Sequence, residues 1–120
     1  METLFKHPHT MVKKSDVHGW GVFATQDIPE GTLLETCHYV KACKFTSKLY
    51  EKMTGLHNYT FFDTTGKYAC TVFGWGSIFN SSEDANAAWQ AGEDLFSFWT
   101  TKDIKAGEEI FLDYSIEFHK

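Results

Sequence analysis

One turn is written twice in this chain. Thr25-Gln-Asp-Ile-Pro-Glu-Gly31-Thr-Leu-Leu34 and Thr101-Lys-Asp-Ile-Lys-Ala-Gly107-Glu-Glu-Ile110 carry Thr, Asp, Ile and Gly at matching offsets. A polar turn closed by glycine and followed by apolar, β-prone residues predicts a hairpin corner. Two copies far apart in sequence predict two similar corners in one β-fold. The second copy also feeds a strand that delivers Tyr114.

The 120 residues predict one domain, and 11 Phe, 5 Tyr and 4 Trp are enough to fill a core. The net charge of −5 argues against non-specific nucleic-acid binding, so no direct nucleic-acid partner is expected. All 11 basic residues are Lys, so bidentate phosphate or guanine recognition by guanidinium has no residue to perform it. A mildly acidic surface tolerates a cationic partner such as a Lys-rich peptide. Cys37, Cys43 and Cys70 form no CxxC pair, so neither a disulfide framework nor a structural zinc site is expected. His7-x-His9 and Cys37-His38 read as surface or core residues, and no metal is expected. Nothing resembles a signal peptide or a membrane span, which predicts an intracellular, reducing compartment and no membrane partner.

Short strands are predicted at Thr10–Lys14, Val22–Ala24, Thr32–Val40, Ala87–Gln90, Leu95–Thr100 and Ile110–Leu112, with a hairpin from Tyr59 to Val72. Phe45–Met53 is the one helix candidate, capped by Thr46 or Ser47 and stopped by Gly55. Residues 1–9 read as a loose leader, and Phe73–Phe79 as irregular. The fold class is mostly β, without the strand–helix alternation of a parallel α/β sheet.

Three segments are unusual for a plain β-domain. His18-Gly-Trp-Gly-Val-Phe23 brackets Trp20 with glycines, for a tight turn or for close backbone approach to a ligand. Gly74-Trp-Gly-Ser-Ile-Phe79-Asn80-Ser-Ser-Glu-Asp-Ala-Asn86 runs from apolar to polar, and its Asn side chains can satisfy backbone groups. Gly107-Glu-Glu-Ile-Phe-Leu-Asp-Tyr114 ends in a Tyr that reads, alone, as a core aromatic with a bonded hydroxyl.

In this order and spacing the three segments resemble the SET domain of protein-lysine methyltransferases. The family's G-x-G-x-F start corresponds to Gly19-Trp-Gly21-Val-Phe23. Its central F-x-N-H-S-x-x-P-N type motif corresponds to Ile78-Phe79-Asn80-Ser81-Ser82-Glu-Asp-Ala85-Asn86. Its G-E-E-[IL]-x-x-x-Y end corresponds to Gly107-Glu108-Glu109-Ile110 through Tyr114. The doubled D-I-x-x-G turn recurs at both places in the family. The resemblance covers about residues 10–118, with residues 44–72 as the variable insert and residues 119–120 as the end, and the size is similar to minimal viral or bacterial members. It implies small curved β-sheets with a C-terminal pseudoknot, the last segment passing under the loop near Asn80, and one short helix in the insert.

The activity implied is methyl transfer from S-adenosylmethionine to the ε-amine of a protein lysine, a histone tail being one candidate substrate. By position, Tyr114 is the implied catalytic residue. Gly19, Trp20, Gly21, Asn80 and Ser81 are the implied cofactor contacts, and Tyr59, Trp89 and Phe118 the implied lining of the lysine channel. Ser81 stands where the family usually has His, and Ala85 where it usually has Pro. Phe118 in place of Tyr removes a hydroxyl and leaves room for further methyls, which implies di- or trimethylation. Little chain follows Phe118, so a homodimer partner or the substrate is expected to complete the channel, unless it stays open. The compartment expected is the cytoplasm, or the host nucleus for a viral protein. The alternative reading is a SET-like module that binds cofactor or peptide with little or no transfer activity.

Overall fold

In the computed structural model, residues 4–44, 46–48 and 60–117 are described, with side chains described up to Tyr114. The two copied corners meet. Ile28 and Ile104 form an antiparallel bridge, each amide donating to the other's carbonyl at 2.8 Å. Asp27 Oδ1 accepts from the Ala106 amide at 2.9 Å, and Asp103 Oδ1 accepts from the Glu30 amide at 2.8 Å. Gly31 N donates to Thr100 O, and Gly107 N to Ala24 O. Each corner is thus closed by groups of the other. Gly31 and Gly107 sit at φ 79° and 89°, a left-handed conformation that costs a side chain energy and glycine little. Both isoleucines are buried, which anchors the paired corners to the core.

The strands that leave these corners build the larger sheet. Its described strands are β1 (Thr10–Lys14), β2 (Trp20–Ala24), β3 (Leu33–Cys37), β7 (Asn80–Ser81), β8 (Ala87–Ala91), β9 (Phe96–Thr100) and β10 (Glu109–Glu117). The order is β1-β2-β10-β8-β9-β3, with β7 also paired to β10. The last strand in sequence therefore lies in the middle of the sheet. It is antiparallel to β2 at Glu109 and Ile110, then parallel to β7 at Phe111 and Leu112, and parallel to β8 from Leu112. Parallel pairing at Phe111 and Leu112 places β10 beside the Asn80 loop.

A second sheet of β4 (Tyr39–Lys44), β5 (Phe61–Phe62) and β6 (Tyr68–Val72) runs in the order β4-β6-β5. Its β5–β6 turn is organised by Asp63. Thr65 Oγ1 and the Lys67 and Tyr68 amides donate to its carboxylate, and Lys41 Nζ lies 3.6 Å away. Burial pushes this carboxyl up, but the hydrogen bonds and Lys41 together outweigh it and hold it below its ordinary value.

The sequence predicts one strand over Thr32–Val40, and the structure divides it. β3 ends at Cys37 in the large sheet and β4 begins at Tyr39 in the small one. The switch is fixed from outside the run. The Phe73 amide bonds the His38 carbonyl, and the Tyr39 hydroxyl reaches the Gly92 and Glu93 carbonyls. No local pattern in an apolar run marks a passage between sheets. A 3-10 turn over Trp75–Ser77 occupies the segment read as irregular. The predicted helix Phe45–Met53 lies mostly outside the described residues.

Alternation along β8 and β9 turns Trp89, Phe96 and Phe98 inward, where they surround Phe61 at ring separations of 5.5–5.6 Å. Val22, Leu34, Ile110 and Leu112 complete the core from β2, β3 and β10. This aromatic cluster is the floor on which Tyr114 rests.

Candidate active site

The site begins at the turn between β1 and β2. Ser15 N donates to Gly19 O at 2.8 Å, and Ser15 Oγ accepts from the Val17 and His18 amides. Gly19, at φ 49°, closes this turn. The backbone carbonyls of His18 and Trp20 then point at one side chain. Asn80, 3% exposed, donates from Nδ2 to His18 O at 2.9 Å, to Trp20 O at 3.2 Å and to Glu109 Oε2 at 2.8 Å. Gly21 is glycine for a different reason: a methyl group there would collide with the Glu109 carboxylate. Trp20 itself remains exposed beside the loop.

Asn86 ties the far end of the central loop to β10. Its Nδ2 donates to Glu109 O at 2.9 Å, and its Oδ1 accepts from Phe111 N at 2.8 Å. One planar amide here replaces a neighbouring strand, the role open to an Asn that faces a backbone edge. Ser81 is exposed and engages β10 through its pairing with Leu112, and the Ser82 amide donates to Leu112 O. Ser81, Ser82, Glu83 and Asp113 line a cavity of about 280 Å³.

Five residues beyond Glu109 on the same strand, Tyr114 is half-buried. Its hydroxyl donates to Phe79 O at 2.6 Å, and its ring stacks on Phe61 at 4.8 Å. Trp89 Nε1 donates to Tyr114 O at 3.1 Å, so the Tyr114 ring and backbone are each held. The hydroxyl thus meets the residue immediately before Asn80. Tyr114, Asn80 and the Gly19–Gly21 loop form one connected group.

Trp89, expected to line the lysine channel, packs within the aromatic cluster beside Tyr114. It is buried, stacked on Phe96 and edge-on to Phe61, and bonds the Tyr114 carbonyl. Tyr59 and Phe118 lie outside the described residues. Glu109 and Ser15 were assigned no role from sequence. Glu109 stands inside the final motif, but its partners come from segments that only folding brings together.

Cys37 and Cys70 are buried. Burial and the Glu35 carboxylate push the Cys37 thiol up to about 12, and burial and Asp63 push Cys70 up to about 11. Glu35 is buried between Lys6, at 3.3 Å, and the Trp75 amide, at 3.1 Å, and burial raises its carboxyl. Among the described residues no three His, Cys, Asp or Glu side chains converge as metal ligands, and no helix is long and apolar enough to cross a membrane.

The fold is shared with a crystal structure of a candidate histone methyltransferase from Plasmodium falciparum. The TM-score is 0.71 at 21% identity, covering 90% of this chain and 94% of the other. The SET domain family matches residues 19–115, and the chain belongs to that family, the SET-domain lysine methyltransferases. It is 29% identical over 105 residues to the histone-lysine N-methyltransferase of Schizosaccharomyces pombe specific for H3 lysine-37, covering 86% of this chain and 71% of that protein. It is also 29% identical over 127 residues to the histone-lysine N-methyltransferase SETD2 of Mus musculus and of Homo sapiens, spanning 5% of their length. These relatives are eukaryotic, whereas the short chain alone resembled viral or bacterial members. SET methyltransferases in general use S-adenosylmethionine.

Proposed function

We propose that this protein transfers methyl groups from S-adenosylmethionine to a lysine ε-amine, with histones as the substrate class. The observation that carries the reading is the connected group of Tyr114, Asn80 and the Gly19–Gly21 loop. The relatives' histone specificity supports the choice of substrate class.

The residues present suit this cofactor. The loop carbonyls of His18 and Trp20 and the Glu109 carboxylate hold Asn80 Nδ2, which leaves Asn80 Oδ1 as an acceptor, and Asp113 lines the adjoining cavity beside Ser81. An acceptor-rich site favours a cationic ligand. When bound, S-adenosylmethionine supplies an electrophilic methyl group on a positively charged sulfur. The loop backbone at Gly19, Trp20 and Gly21, with Asn80 and Ser81, would hold it. Ser81 lacks the imidazole usual in the family, and its backbone pairs with Leu112 of β10.

A lysine attacks only when neutral. With an ordinary pKa of about 10.4, holding it neutral at pH 7 costs about 4–5 kcal/mol unless the site lowers that value. An aromatic wall such as Tyr114 on Phe61 disfavours the charged amine by desolvation. The Tyr114 hydroxyl gives its proton to Phe79 O, and its oxygen would accept an amine N–H. That bond would aim the nitrogen lone pair without the tyrosine acting as a base, and aim is the larger part of such catalysis. Phe118 supports a di- or trimethyl product.

Titration calorimetry with S-adenosylmethionine, followed by a mass-spectrometric time course on histone substrates, tests the reading. Saturable binding and product advancing past the monomethyl state are expected. Absence of heat at millimolar cofactor would overturn the proposal, and a stall at monomethyl product would overturn its product state.

A further inference from the structure

A closed circuit of hydrogen bonds runs around the proposed cofactor wall, and Glu109 is its hub. Oε1 accepts from Ser15 Oγ at 2.6 Å and Oε2 from Asn80 Nδ2 at 2.8 Å. Ser15 Oγ in turn accepts from the Val17 and His18 amides, and the His18 carbonyl accepts from Asn80 Nδ2. The path Glu109, Ser15, His18, Asn80 returns to Glu109. One carboxylate on β10 therefore sets both the loop and the amide relative to the strand that bears Tyr114.

The circuit also decides which way the Asn80 amide faces. Three oxygens surround Nδ2: two carbonyls and a carboxylate. A flipped amide would set Oδ1 against all three, and the bond to the charged oxygen is the strongest of the set. Nδ2 is committed to the loop side, and Oδ1 lies on the opposite side of the planar amide. An acceptor presented there recognises an ammonium group and repels a carboxylate. Gly21 belongs to the same device, since any side chain at that position would push Glu109 out of place.

We propose that Glu109 is a positioning residue of the cofactor site, fixing the Asn80 amide so that Oδ1 is presented to the ammonium end of the methyl donor, with Ser15 and Gly21 as its supports. This rests on the reading of Asn80 as a cofactor contact. Glu109 acts through Asn80 and the loop, so loss of its carboxylate weakens cofactor binding. Glu109→Gln keeps an acceptor for Asn80 and a donor for Ser15, and so restores most of what Glu109→Ala removes.

The test uses the full chain with two readouts: calorimetric affinity for S-adenosylmethionine, and the NMR side-chain NH₂ signals of Asn80 in cofactor-free protein. Glu109→Ala is expected to weaken binding about tenfold and Glu109→Gln about threefold or less. Gly21→Ala is expected to match Glu109→Ala, and the double variant to be no weaker than either alone, because both break one circuit. Ser15→Ala, which removes a single hydroxyl and serves as the second variant should Glu109→Ala fail to fold, is expected to cost about threefold. The Asn80 NH₂ signals should shift in Glu109→Ala and return toward wild type in Glu109→Gln. Unchanged affinity in both Glu109→Ala and Ser15→Ala, unchanged Asn80 signals in Glu109→Ala, or additive losses in the double variant would overturn the proposal. Wild-type protein that bound no cofactor would overturn the functional reading instead, while the Asn80 signals would still decide whether Glu109 orients the amide.

Discussion

The two D-I-x-x-G corners begin alike and end differently. Each buries an isoleucine, closes on a left-handed glycine and lends an aspartate to the other. Each then starts an antiparallel pair at its first strand residue, Leu33 with Trp99 and Glu109 with Phe23. From there the first corner's strand stays on its partner and runs along β9 to Cys37. The second corner's strand leaves β2 after Ile110 and crosses to β7 and β8. Asn86 marks the departure by taking the Glu109 carbonyl and the Phe111 amide for itself. The corner is therefore scaffold, and the proposed chemistry lies where one copy changes neighbours. That change carries Tyr114 to the Phe79 carbonyl.

If the corners are equal as scaffold and unequal as function, paired substitutions should separate the two properties. The largest stability effect belongs to the buried isoleucines. Ile28→Ala and Ile104→Ala should each lose about 2–5 kcal/mol in urea denaturation. The double variant should lose less than the sum, since the two residues bridge directly. In the folded protein, Ile104→Ala should reduce methyl transfer more than Ile28→Ala, because it feeds β10. Equal loss of transfer from the two would break the comparison.

The crossed aspartates give a smaller effect. Asp27→Ala and Asp103→Ala each remove one acceptor from the opposite corner and should cost about 0.5–1 kcal/mol each. Asp27 also lies 3.8 Å from Lys105, but both side chains are well exposed, so that pair adds little. Thermal melts of the two single variants should agree closely. A clear inequality would show that the corners carry unequal loads and sharpen the account of how they are coupled.

Much of this architecture was legible because it is local. The doubled turn predicts both corners, and short alternating runs predict β1, β6, β8 and β9 within a residue or two of where they lie. The ordered motifs lead to the family, and the Asn side chains of the central segment do bond backbone groups as their chemistry suggests. What escaped prediction depends on long-range pairing. The break at His38 is set by Phe73 and by the 92–93 turn, β10 extends far past Leu112 because β8 lies beside it, and Asn80–Ser81 becomes a strand only when β10 arrives. Trp89 matches a channel aromatic by spacing, and its burial among Phe61, Phe96 and Tyr114 depends on neighbours from other strands. Gly21 reads as a cofactor contact, while its nearest constraint is Glu109, far along the chain.

The central claim is the proposal that the second corner's strand carries a catalytic tyrosine. It is tested most directly by radiolabelled methyl transfer from S-adenosylmethionine to histones, comparing wild type with Tyr114→Phe at matched folding and cofactor affinity. Loss of the hydroxyl leaves the ring on Phe61 and removes the bond to Phe79 O. Transfer should fall about a hundredfold or more, with cofactor affinity changed by less than about threefold. Transfer by Tyr114→Phe at the wild-type rate would contradict the account.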